Sequence, residues 1–370
     1  MIYFDNAATT PLTPSVIEAM TSVMAEQFGN PSSLHTFGRK AKQLLRHYRY
    51  AIAQSLKTDE KNIIFTSGGT ESNNTAIIGY ALANQEKGKH LITTATEHHS
   101  VLQAMSYLEK RFGFEVTYLK PSKGHITAQQ VRDALRPDTL LVSIMHANNE
   151  TGDLNPIPEI GHLLSQHSAV FHVDAVQTVG KITVLPDDWQ IDFLSASAHK
   201  FHGPKGVGFL YAKTNHFDNL LHGGDQEDKR RASTENMISL AGMATALTEA
   251  TNQLHENLNH IHHIRQAFLT ELEGLDYYIN SGNDSLSHVL NIGFPNGNNG
   301  LLLTQLDLAG FAVSTGSACT AGAVTPSHVL TSYYGESSPR LRESIRISFG
   351  EQNTVKEAQL LAQQLKKLLA

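Results

Sequence analysis

Cysteine is nearly absent from this sequence, which has one, Cys319, in 370 residues. A single thiol excludes an intrachain disulfide and any all-cysteine metal site within one chain, and it leaves one sulfur atom to explain. Long apolar runs are missing as well. No stretch approaches the ~20 residues that a membrane span needs, and Met1-Ile2-Tyr3-Phe4-Asp5 lacks the basic and apolar regions of a signal peptide. The expectation is a cytoplasmic protein without membrane attachment. There is also no basic excess: 29 Lys and Arg against 35 Asp and Glu leave a net charge of −6, so no positive field directs the chain to nucleic acid. The 20 histidines are scattered without a HExxH-type helix pair, and no metal site is expected. The length suits one large domain with a smaller one.

What is present centres on Ser195-Ala196-Ser197-Ala198-His199-Lys200, which follows the apolar run Trp189 to Leu194 and leads into Phe201-His202-Gly203-Pro204-Lys205-Gly206. This reads as a buried strand and then a polar turn. A lysine framed by hydroxyls, an imidazole and a Gly-Pro turn suits an amine that must form a Schiff base. Alone, such a lysine is more often a solvated surface residue. A second stretch changes the balance: Ala169 to Val173 is a β-branched and aromatic strand that ends in the carboxylate of Asp174. A charged Asp at a buried strand end is costly unless it meets a cation or caps a helix. Pyridoxal phosphate needs this pair, a lysine to hold its aldehyde carbon and a carboxylate to keep its ring nitrogen protonated.

The same strand-then-polar-turn pattern recurs upstream. Asn62 to Thr66 is followed by Ser67-Gly68-Gly69-Thr70-Glu71 and a helix. Glycines between a strand and a helix start let amides approach an anion, so Gly69 and Thr70 are candidates for the cofactor phosphate, although a Gly-rich turn alone is more often a plain turn. His90 to Thr94 precedes Thr96-Glu97-His98-His99, Thr139 to Met145 precedes Asn148-Asn149-Glu150, and a capping box is expected at Thr127 and Gln130. Alternating strands and helices from about 60 to 212 imply a mainly parallel sheet with helices on both faces and ligands at the strands' carboxyl ends. Helices are expected from Pro14 to Phe28 and Gly38 to Leu56, with a long one from Met237 to about Leu272.

The stretches HVDAVQ and SASAHKFHGPKGVG resemble the cysteine desulfurases, pyridoxal phosphate enzymes of the class V aminotransferase fold, and the resemblance extends along essentially the whole chain. It implies an α/β fold of the aspartate aminotransferase type, with a seven-stranded sheet in a large domain at 13–255 and a smaller domain formed by 1–12 and 256–370. It further implies that His98 stacks on the cofactor ring and moves protons, that Gln177 meets the phenolic oxygen, and that Ser197 and His199 bind the phosphate. The threonine matching Thr234 reaches the phosphate of a neighbouring subunit in that family, so a homodimer is expected. Asp225 and Ser233 stand where the family has glycines. Asn149, rather than Asn148, and Ala7 are expected near the substrate.

Two stretches near the C-terminus complete the pattern. Ser314-Thr315-Gly316-Ser317-Ala318-Cys319-Thr320 is a run of small residues without an apolar anchor, which suits a cysteine that reaches into a pocket and withdraws. The SxGSACT pattern resembles the desulfurase subgroup with a long cysteine loop. Ser344 to Gly350 reads as a strand that turns Arg346 away from Ile345 and Ile347, and a guanidinium fork binds a carboxylate through two parallel bonds. The expected reaction is removal of sulfur from L-cysteine, with Lys200 as proton carrier, Cys319 as the persulfide-forming nucleophile and alanine as product. A sulfur-acceptor protein, an iron–sulfur scaffold or a tRNA-thiolation enzyme, follows as a partner. Selenocysteine lyase or cysteine sulfinate lyase is the alternative.

Overall fold

A computed structural model describes residues 1–122, 124–282, 284–316, 319–320, 323–324 and 326–369, the backbone alone for 319–320 and 323–324. Its centre is a sheet of seven strands: β1 (Ile63–Thr66), β2 (His90–Thr94), β3 (Glu115–Leu119), β4 (Thr139–Met145), β5 (Val170–Asp174), β6 (Phe193–Ser197) and β7 (Gly208–Ala212). They lie in the order β1-β7-β6-β5-β4-β2-β3, and only β7 runs against its neighbours. Six strands therefore deliver their carboxyl ends to one edge, where ligands bind in such sheets. Both faces are covered. Helices Pro14–Glu26, Thr36–Ser55 and Met237–Asn252 pack on one face around Ile52, Phe171, Phe209 and Leu247, while His99–Phe112 and the helical run that starts at Gly69 cover the other around Ile77, Met105 and Leu141.

Two expectations shift. The strand before Lys200 begins at Phe193 rather than near Trp189, because Trp189 and Ile191 donate to the carbonyls of Leu185 and Pro186 and Gln190 takes a left-handed φ of 54°. The strand thus takes in Ser195 and Ser197, and the turn shrinks to Ala198–Lys200. The long helix expected from Met237 is two, Met237–Asn252 and Leu254–Glu271, separated at Gln253. The first buries Leu247 and Ala250 against the large sheet, the second buries Ile261, Ile264 and Phe268 in another core, and one straight axis cannot serve both.

That other core belongs to a small domain. Its sheet pairs β9 (Val289–Gly293) antiparallel with β10 (Ser344–Ser348) and with β8 (Tyr278–Ile279), backed by Leu254–Glu271 and Val355–Leu369. Phe4 is buried in the same cluster, since Ile2–Tyr3 pairs with Phe311–Ala312 and Asp5 bridges to Ser348. The first residues of the chain therefore lie beside Arg346. Among the described residues, no helix is long and apolar enough to cross a membrane.

Candidate active site

At the carboxyl edge of the large sheet, against the small domain, lies a cavity of about 670 Å³. Ala7, Gly69, Thr70, His98, Asn149, Asp174, Gln177, Ser197, His199, Lys200 and Arg346 all border it. Thr234 does not; it borders a neighbouring pocket with Thr66, Arg231 and two residues common to both cavities, Ser67 and Gly206. The backbone at Cys319–Thr320 pairs with Ala323–Val324, and the Cys319 side chain lies outside the described residues.

Lys200 ends the short turn after β6. Its Nζ donates to the carbonyl oxygens of Ala7 at 2.7 Å and Ala8 at 3.0 Å, residues more than 190 positions earlier in the chain. Burial, reinforced by the Arg346 charge and opposed by Asp174 and Asp5, pulls the ammonium down to about 8. An amine so placed is deprotonated in a far larger fraction of molecules near neutral pH than an ordinary lysine, and the neutral form is what nucleophilic addition to an aldehyde requires. Gln177 Nε2 donates to the same Ala7 carbonyl at 3.1 Å.

Asp174 closes β5 with both carboxylate oxygens engaged, Oδ2 by Asn73 Nδ2 at 2.7 Å and Oδ1 by the Val176 amide at 3.0 Å. Asn73 also donates to Ser100 Oγ at 2.8 Å, and Ser100 Oγ lies 2.8 Å from His98 Nδ1. His98 caps the helix His99–Phe112 and opens to the cavity. Burial of the ring's surroundings and the Lys200 charge hold its imidazolium below the ordinary value, against the pull of Asp174.

The glycine turn after β1 is built for close approach. Gly68 has φ 146°, and a Cβ on Gly69 would stand 2.7 Å from Val176 Cγ2, so the helix start is packed directly on the turn that follows Asp174. A Cβ on Gly68 would stand 3.5 Å from Ser197 Oγ, which marks the hydroxyl as its neighbour. Glu71 locks the turn by accepting from the Ser67 amide at 2.7 Å and from Arg231 Nε at 2.9 Å. His199 Nδ1 lies 3.2 Å from Thr9 Oγ1, and burial with the Lys200 and Lys205 charges lowers its imidazolium to about 4.

Arg346 enters from β10. Nη1 donates to the Asn149 carbonyl and Nη2 to Asp5 Oδ1, each at 2.7 Å, while the buried Nε has no hydrogen-bond partner among the described residues. Asn73 Oδ1 is likewise buried without one. Buried polar atoms normally find partners, so such orphans call for a ligand or water. An amine, a carboxylate, a glycine-built helix start with hydroxyls and a guanidinium around one cavity are the groups that pyridoxal phosphate and an amino acid require, and the residues fit them.

Sequence reasoning missed Asp5, Asn73 and Glu97. Asn73 sits one helical turn past Gly69, a position whose spacing could have pointed it out. Glu97 is fully buried beside Asp174, accepts from Thr94 Oγ1 and the Met145 amide, and is pushed by burial to about 8.

A family model described as "Aminotransferase class-V" matches residues 2–361. A relative named "Cysteine desulfurase IscS" from Dictyoglomus turgidum is 46% identical over 335 residues, 89% of this chain and 85% of the relative. One of the same name from Methanosarcina thermophila is 43% identical over 357 residues, 95% and 88% of the two chains. Among solved structures, a "NIFS-LIKE PROTEIN" superposes with a TM-score of 0.92 at 34% identity, covering 100% of this chain and 99% of the other. A structure described as "SspA in complex with cysteine" gives 0.85 at 37% identity, covering 96% and 100%.

Proposed function

The chain belongs to the class-V aminotransferases, among the cysteine desulfurases, and on that premise we propose that Arg346 and Asn149 hold L-cysteine while Lys200 moves its Cα proton and Cys319 takes its sulfur. The cofactor of the family is pyridoxal phosphate, which when bound supplies an electron sink for bonds at the substrate's Cα. The observation that carries the reading is the convergence of Lys200, Asp174 and Arg346 on one cavity.

In this reading the Asp174 carboxylate, oriented by Asn73, would hold the cofactor's ring nitrogen and keep it protonated. Gly69, Thr70, Ser197 and His199 would hold the phosphate, and Gln177 the phenolic oxygen. His98 would hold the ring and assist proton movement. The Lys200 amine removes the Cα proton. The Cys319 thiolate then attacks the substrate sulfur: an S–S bond forms, the Cβ–S bond breaks, its electron pair is protonated at Cβ, and alanine and an enzyme persulfide result.

Thr234 would serve the phosphate site of a second copy, so the working unit is a homodimer. Support comes from its position outside its own chain's main cavity and from exposed apolar side chains, Leu34 at 90% and Phe28 at 78%, with Phe28 against Phe37. The persulfide passes to a protein acceptor in iron–sulfur assembly or tRNA thiolation, in the cytoplasm.

The test is incubation of the holoenzyme with L-cysteine and reductant, in which sulfide and alanine form in equal amounts and Cys319→Ala forms neither. Undiminished sulfur release from L-cysteine by Cys319→Ala would overturn the reading in favour of a lyase that needs no thiol.

A further inference from the structure

Glu150 touches the described residues on both sides of the segment that carries Cys319, and we propose that it is the positioning residue that fixes these two flanks, Gly316 and Ser327, relative to the Arg346 subsite. The inference rests on the reading of Cys319 as the sulfur acceptor.

Glu150 is 2% exposed and held by its amide, its carbonyl and one carboxylate oxygen. Its amide donates to Asn148 Oδ1 at 2.8 Å, and its carbonyl accepts from Asn291 Nδ2 at 3.1 Å. On the C-terminal side of the segment, its Oε2 accepts from Ser327 Oγ at 2.5 Å. Ser327 in turn caps the helix His328–Tyr334 through the Leu330 amide at 3.0 Å, and the adjoining His328 Nε2 lies 2.9 Å from the Glu97 carbonyl. On the N-terminal side, Gly316 lies flat against the same side chain: a Cβ there would stand 3.2 Å from Glu150 Cγ and 3.3 Å from Oε2. Gly316 is tied by its amide to Ser314 Oγ, and Ser314 is paired through its backbone with Arg346. Asn149, the residue before Glu150, supplies the carbonyl that holds the Arg346 guanidinium.

One buried carboxylate thus links the substrate clamp to both ends of the thiol's segment. A thiol must come within about 3.5 Å of the sulfur it attacks, and an error of about 1 Å in such placement costs on the order of 10²-fold in rate. An acid is expensive to bury, and this one spends its acceptor on a hydroxyl at the segment's end, which a packed apolar side chain could not hold in register.

The test compares Glu150→Ala and Glu150→Gln holoenzymes by three readouts: persulfide formed from L-cysteine, the L-cysteine concentration that half-saturates the absorbance change of the bound cofactor, and the rate of alkylation by iodoacetamide. Because Cys319 is the chain's one cysteine, alkylation reports that thiol alone. Glu150→Ala is expected to slow persulfide formation about 100-fold and to change the alkylation rate several-fold, while half-saturation moves less than about threefold. Glu150→Gln, which retains an oxygen acceptor for Ser327, recovers most of the rate. Normal persulfide formation in Glu150→Ala, or an equal loss of persulfide formation and L-cysteine binding, overturns the proposal. Cys319→Ala run alongside separates the two levels: if it still releases sulfur the underlying reading fails, whereas if it is inactive and Glu150→Ala is unaffected only the role of Glu150 fails.

Discussion

Lys200 Nζ and the Ala7 carbonyl oxygen are 2.7 Å apart, so the amine at the centre of the cavity is anchored by the first residues of the chain rather than by an acid. A carbonyl accepts from either protonation state, which leaves burial free to depress the ammonium to about 8. The folded apoprotein therefore gives up this proton before the unfolded chain does. Between about 8 and the ordinary lysine value of 10.5 the unfolded state binds the extra proton, so apoprotein stability rises with pH through that window and the full penalty applies below it. The rate at which apoprotein captures pyridoxal phosphate, followed by absorbance, is expected to rise with a midpoint near pH 8. A midpoint at the ordinary lysine value would refute the buried amine.

Asn73 is the only side chain seen to donate to Asp174 among the described residues. Replacing it with alanine removes one charge-assisted hydrogen bond, and such bonds contribute about 1.5–3 kcal/mol. Asn73→Ala is expected to weaken pyridoxal phosphate binding by roughly tenfold or more, measured by equilibrium titration of apoprotein, with the fold retained by circular dichroism. Asp174→Asn, which removes the charge itself, is expected to abolish turnover.

How far the sequence discloses this site depends on whether a residue's partner is close in the chain. The strand ends at Thr66, Thr94, Met145 and Asp174 were legible because each apolar run stops at a polar turn, and parallel strands send those turns to one edge. The capping box at Thr127 and Gln130 was legible for the same local reason, and both of its bonds are formed. Asp5 was not, because its place beside Arg346 depends on the N-terminal strand joining the small domain. Nor was the break at Gln253, where helical periodicity continues on both sides and the change of core decides the bend. The apolar stretch Trp189 to Leu194 misled because Trp189 and Ile191 turn back onto the preceding residues while only Phe193 and Leu194 enter the sheet.

The Arg346 fork is divided among Asp5, the Asn149 carbonyl and an Nε that has no partner among the described residues. A lysine could satisfy Asp5 but could not present a second parallel donor to a substrate carboxylate. Arg346→Lys is expected to raise KM for L-cysteine by at least about tenfold, the loss of one charged hydrogen bond of about 1.5 kcal/mol or more. Steady-state kinetics checks it, and an unchanged KM would remove Arg346 from the substrate site.

Stability at the domain junction has its own pH signature. Glu351 Oε1 lies 2.6 Å from Lys181 Nζ and Oε2 2.7 Å from His202 Nε2, while His202 Nδ1 lies 2.8 Å from the Pro11 carbonyl. This cluster joins the end of the small-domain strand to the large domain. Burial alone would raise the Glu351 carboxyl, yet Lys181 and His202 together hold it well below the ordinary 4.5. A carboxyl depressed by folding stabilises fully above its unfolded value and loses that contribution as pH falls toward the folded one. Glu351→Gln also leaves Lys181 buried beside a neutral partner, a change that costs about 3 kcal/mol or more. The difference in melting temperature between the two proteins should therefore be largest near pH 7 and shrink steadily below about 4.5. A difference that stays constant down to acid pH would mean that Glu351 acts through packing and not through its charge.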